Sequence, residues 1–102
     1  AELDEILSNQ DFIRTHAAAI EQIIDALDEA VSRYSFRSAS YVKSALATDA
    51  ALLRHCLANA AQPAAKLVEV QVRGLAAARR LLGNQKFPRN WPNGAIEAWK
   101  SI

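Results

Sequence analysis

Cysteine is nearly absent from this chain. Cys56 is the only one in 102 residues, which excludes an internal disulfide, a Cys-x-x-Cys redox pair and a cysteine-based zinc framework. On a helix among apolar and small neighbours, it is expected to pack as a small hydrophobe. Glycine is scarce too, at positions 74, 83 and 94. Three glycines so far apart cannot build a phosphate-cradling loop. No apolar run approaches the ~20 residues that a membrane span needs. The opening residues, Ala1-Glu2-Leu3-Asp4-Glu5, lack the basic and apolar regions of a signal peptide. The cytoplasm is therefore the default compartment. A start at Ala fits loss of Met, a cleaved signal or excision from a longer chain.

What is present is helical patterning. Hydrophobic residues make up 51% of the chain and charged residues 23%, a globular composition for one domain spanning 1–102. Ile13, Ala17, Ile20, Ile24, Leu27, Val31 and Tyr34 recur in four-three spacing. They share one helix face that must be covered. Ser8 with Asp11 three residues on resembles a capping box, and Leu7 is placed to staple onto Phe12. A first helix over about 9–34 is expected, with residues 2–7 as a short leading turn. Ser35-Phe36-Arg37-Ser38 then makes a connection.

A second helix is expected over about 40–60, with Val42, Leu46, Ala50, Leu53 and Leu57 on one side. After Ala61-Gln62, Pro63 suits the first position of a third helix over about 63–82, which ends at Gly83-Asn84. Val68, Val70 and Val72 alternate with polar residues as in a strand, but nothing else in the chain offers a β partner, so the segment is read as helix. Phe87-Pro88, Trp91-Pro92 and Asn93-Gly94 mark an aromatic loop before a short helix over about 95–102. The fold class is all-α: an up-down-up bundle of three long helices with an aromatic loop and a C-terminal helix.

Second apolar stripes raise the question of partners. The first helix carries Phe12, His16, Ala19, Ile23, Ala26 and Ala30 beside its main stripe. The third carries Leu67, Val70, Gly74, Ala77 and Leu81, with Val68, Val72, Leu75 and Leu82 on the other side. Either the short chain covers all of these itself, or the face around Gly74 and Ala77 receives a helix from a second copy or another protein. Charged stripes at Glu21, Asp25 and Asp28 and at Lys66, Arg73 and Arg80 are either solvated or set register between helices. Phe87, Arg89, Trp91 and Trp99, with Lys86 and Lys100, form an aromatic and basic tail. It seals the bundle, anchors a protein or stacks on single-stranded nucleic acid.

Signals for chemistry are sparse. His55 and Cys56 are adjacent, so on a helix they point apart and do not pair as metal ligands. No Glu-x-x-His accompanies the acidic stripe, and no Gly-x-Ser-x-Gly elbow occurs. Neither histidine is followed by the Lys-Gly of a phosphotransfer bundle. No catalytic residue, metal or cofactor is assigned.

Charge divides unevenly. Residues 1–51 carry four Arg/Lys and nine Asp/Glu, while residues 52–102 carry eight and two, or −5 against +6. The halves either neutralise each other or display a basic face built from Lys66, Arg73, Arg79, Arg80, Lys86 and Arg89. The leading expectation is a non-enzymatic interaction module: an adaptor, assembly factor, small chaperone or regulatory subunit. It would self-associate as a homodimer or larger, or dock on a partner protein, with no membrane role. A nucleic-acid-binding protein is the alternative, and a ligand-binding or catalytic bundle around His16 the remote one.

Overall fold

The computed structural model describes residues 2–34, 40–83 and 91–102. Among them every regular element is helical. Five α-helices occur: α1 (Glu2–Thr15), α2 (Ala17–Arg33), α3 (Ser40–Ala60), α4 (Glu69–Gly83) and α5 (Asn93–Lys100), with a 3-10 turn at Ala64–Lys66. Among the described residues the expected bundle of three long helices is thus corrected to five helices around one core. Only α3 keeps the bounds expected from its sequence.

The first helix starts earlier than Ser8 and does not run unbroken to Tyr34. Glu2, Asp4 and Glu5 lie in the first turn of α1, where carboxylates favour the positive end of the helix dipole. Ser8 lies inside the helix rather than at its cap, and Leu7 remains exposed. The break comes at His16, whose φ of −105° and ψ of 18° fall in the bridge region between helix and strand. No glycine or proline stands nearby. What differs on the two sides of His16 is the company: α1 packs on α3 and α4, and α2 on α3 and α5. Helical hydrogen bonding nevertheless carries on through the break, the His16 N–H donating to the Phe12 carbonyl at 3.2 Å and the Ile20 N–H to the His16 carbonyl at 2.9 Å, so α1 and α2 follow one another as one bent rod.

α3 lies antiparallel to that rod. Arg14 on α1 donates to the carbonyl of Ala60, and Asp28 on α2 pairs with Arg54. The buried residues of α3 are Leu46, Ala50, Leu53, Cys56 and Ala60, at three- and four-residue intervals. They face Ile13, Ile20, Ile23, Ile24 and Leu27 in the same core. Fully burying one such aliphatic side chain is worth roughly 1.5–3 kcal/mol.

The third expected helix is divided. Pro63 does not open it; its ψ of 141° is extended, and one 3-10 turn follows before Leu67 extends the chain again. α4 then begins at Glu69. Gln71, at its third position, accepts the backbone N–H of Val68 at 3.0 Å, the reciprocal half of a capping box. The alternating valines therefore mark a helix start, not a strand. Leu75, Ala78 and Leu82 bury the inner side of α4. α5 lies on α2 near Ala26, two residues earlier than expected, and buries Ala95 and Ala98.

Candidate interaction surfaces

The stripe Leu67, Val70, Gly74, Ala77 and Leu81 does not form a single free face. Leu67 and Leu81 are half-buried against the core. Gly74 turns towards α3 of the same chain, where its carbonyl accepts the Cys56 S–H at 3.0 Å. A Cβ built on Gly74 would meet Cys56 Sγ at 3.9 Å, an ordinary contact. Ala77 is half-buried, and Val70 stands out at 75% exposure. Burial pushes the Cys56 thiol up from 9.0 to about 11, so it stays protonated near neutrality.

The tail divides as well. Phe87 and Arg89, with Lys86, lie outside the described residues. Trp91 is 4% exposed, and its indole Nε1–H donates to Asp49 Oδ2 at 2.9 Å. Trp99 is half-buried and donates to the carbonyl of Leu82 at 2.8 Å. The two tryptophans therefore reach α3 and the end of α4, and both N–H groups are spent within the chain.

Arg79 is held firmly. Its Nη1 donates to Ser8 Oγ at 2.8 Å and to Asn9 Oδ1 at 2.9 Å, and its guanidinium carbon lies 5.2 Å from the centre of the Phe12 ring. That ring also meets His16 edge-on at 4.8 Å. Beside Arg79, an open cleft of about 920 Å³ runs between α1 and α4, lined by Glu5, Asn9, Ala76, Arg80 and Gly83. Lys66, Arg73 and Arg80 are exposed, and Arg73 is paired with Glu69 one turn back.

On the other side Glu21, Asp25 and Asp28 are exposed, Asp28 being paired with Arg54. No group of three or more His, Cys, Asp or Glu among the described residues is placed to hold a metal ion. No helix among them is long and apolar enough to cross a membrane. His16 is half-buried and His55 exposed.

Two features escape the sequence reading. One is a layer of buried amides: Asn9, Gln10 and Asn59 are each at least 95% buried. Gln10 Nε2 donates to the carbonyl of Gln62 at 2.7 Å, while Asn59 Nδ2 has no hydrogen-bond partner. The other is the exposure of large aliphatics. Leu3 (56%), Leu7 (48%) and Val68 (60%) join Val70 and Tyr41 as the large hydrophobics left outside among the described residues. The four-residue spacing of Leu3 and Leu7 was the available signal, hidden because residues 2–7 read as a leading turn.

Comparison of the chain with protein-family models, with curated proteins and with solved structures gives no match.

Proposed function

We propose that this chain is a non-enzymatic helical interaction module that self-associates, in the role of an adaptor, assembly factor, small chaperone or regulatory subunit. One observation carries the reading. Among the described residues, four of the five exposed large hydrophobics, Leu3, Leu7, Val68 and Val70, lie on the first turns of α1 and at the start of α4. Single exposed aliphatics are ordinary. Pairs of them on two helix starts favour a contact surface, because each leaves apolar area in water that a second protein would cover. The supporting surface is therefore not the Gly74–Ala77 stripe but its outer edge at Val70, together with α1.

The test is sedimentation velocity across a hundredfold range of concentration at physiological salt. A mass that rises above the 11.2 kDa of one chain is expected. A monomer throughout would overturn self-association. The nucleic-acid alternative rests on fewer groups than its six cations imply: Arg79 is engaged with Ser8 and Asn9, and Arg73 with Glu69. Phosphate contacts would make affinity fall steeply with salt, and that slope is its test.

A further inference from the structure

We propose that the cleft between α1 and α4 binds a small molecule through an oxyanion, a carboxylate or a phosphate group, held by Arg79, Arg80 and the side-chain amide of Asn9. This goes beyond the interaction reading above and stands whether or not copies of the chain associate.

Asn9 is only 5% exposed, yet it lines the cleft. Its Oδ1 accepts from Arg79 at 2.9 Å, so Nδ2 is the free end of the amide, and it donates to no other described residue. A donor in so enclosed a place needs an acceptor. In the cleft that acceptor is water or a ligand.

Arg79 adds a second set of donors. Nη1 makes both bonds to α1, to Ser8 and Asn9, which leaves Nε and Nη2 for other acceptors. Those two nitrogens carry the parallel N–H pair that fits two oxygens of a carboxylate or phosphate. The guanidinium is already fixed by its bonds to α1 and by the Phe12 ring, so a ligand would not have to immobilise it. Arg80 lies exposed at the same cleft and pairs with no described carboxylate.

Charge selects the class of ligand. Two guanidiniums and one carboxylate, that of Glu5, line the cleft, an excess of one positive charge. Ala76 and Gly83 complete the lining and leave room without offering a deep apolar seat. The volume of about 920 Å³ is that of a small-molecule site. One anionic group among these donors satisfies them, whereas a nucleic-acid backbone calls on cations spread along a path.

The test is a titration of the isotope-labelled full chain with sodium phosphate, followed by nuclear magnetic resonance, with sodium chloride at matched ionic strength as the blank. The Asn9 Nδ2 resonances should shift and saturate with phosphate but not with chloride. Sodium acetate in parallel separates the two sources, the tighter ion naming the group. Arg80→Gln, at an exposed position, should weaken binding roughly tenfold, the worth of one charge-assisted hydrogen bond. Glu5→Gln should tighten it, because the one carboxylate facing the anion is gone. Asn9 resonances that stay put with both ions overturn the proposal. So does an Arg80→Gln chain that binds as tightly as the parent. Shifts centred on Lys66 and Arg73 would put the anion outside the cleft and overturn it too.

Discussion

Trp91 and Asp49 stand 42 residues apart in sequence, yet a 2.9 Å hydrogen bond joins them, from the indole Nε1–H to a carboxylate oxygen in the middle of α3. The bond fixes the residue that leads into α5 while the indole itself sits in the core. A buried N–H left without an acceptor costs about 1–3 kcal/mol. Asp49→Ala, which orphans the indole N–H, is therefore expected to lower stability by about that much; Trp91→Phe, which loses the bond and shrinks the buried ring, by about 1–3 kcal/mol, and Trp91→Ala by about 3–5 kcal/mol through lost packing. Urea unfolding followed by circular dichroism reads these values. The double variant Trp91→Phe/Asp49→Ala should cost less than the sum of its parts. Strict additivity would mean that the hydrogen bond adds nothing.

Cys56 should be chemically silent in the folded protein. It is buried, its S–H is engaged with the Gly74 carbonyl, and the reactive thiolate is disfavoured by a pKa raised to about 11. Labelling by a thiol reagent at pH 8 should proceed only through unfolding, and urea should accelerate it. The same shift has a pH consequence. Well below pH 9 the thiol is neutral in both folded and unfolded chains and contributes no slope. As pH rises from 9 through 11, the unfolded chain ionises first, so stability falls over that window. Cys56→Ala should flatten that part of the stability profile, and an unchanged slope would assign it to other groups.

How much of this is legible in the sequence follows from whether its cause is local. The burial of Ile13, Ile20, Ile24 and Leu27 is encoded in their spacing, and α3 has no competing signal, so both read directly. The bend at His16 does not. Its neighbours Thr15 and Ala17 are ordinary helix residues, and the contacts that set the two halves apart come from Ala60, Gln62 and Arg79, distant in sequence. Ser8 and Pro63 mislead because each mimics a helix start. Ser8 is instead an acceptor for Arg79, and Pro63 leads into a 3-10 turn. The exposed Val70 lies on the stripe that the spacing picks out. The exposure of Leu3 and Leu7 appears only once burial along α1 is seen to begin at Asn9.

Gly74 offers a stabilising substitution. Within a helix, glycine costs about 1 kcal/mol relative to alanine. The added methyl would reach Cys56 Sγ at 3.9 Å without displacing anything. Gly74→Ala should therefore raise stability by about 0.5–1 kcal/mol in urea unfolding. Gly74→Leu should lower it by about 1–3 kcal/mol, because the extra carbons are forced into a packed α3–α4 contact. A loss with alanine would show that the two backbones need the bare glycine.

Arg79 separates a structural cation from a nucleic-acid contact. Its side chain spans α4 and α1, and it satisfies Asn9, which is only 5% exposed. Removing it strands the Asn9 carbonyl oxygen and leaves the Phe12 ring without its cation, losses of about 1–3 kcal/mol for the orphaned acceptor and about 0.5–1 kcal/mol for the ring. Arg79→Ala should thus lower the unfolding midpoint in urea. Arg80→Ala, at an exposed neighbour, should leave it within about 0.5 kcal/mol of the parent. If the chain bound nucleic acid through this face, the weights would reverse. Arg80→Ala would reduce affinity and shallow its salt dependence while stability stayed put. Measuring unfolding and salt-dependent oligonucleotide binding on the same two variants assigns each arginine to the fold or to a polyanion. An Arg79→Ala chain as stable as the parent would show that the Ser8 and Asn9 contacts contribute nothing to holding α1 on α4.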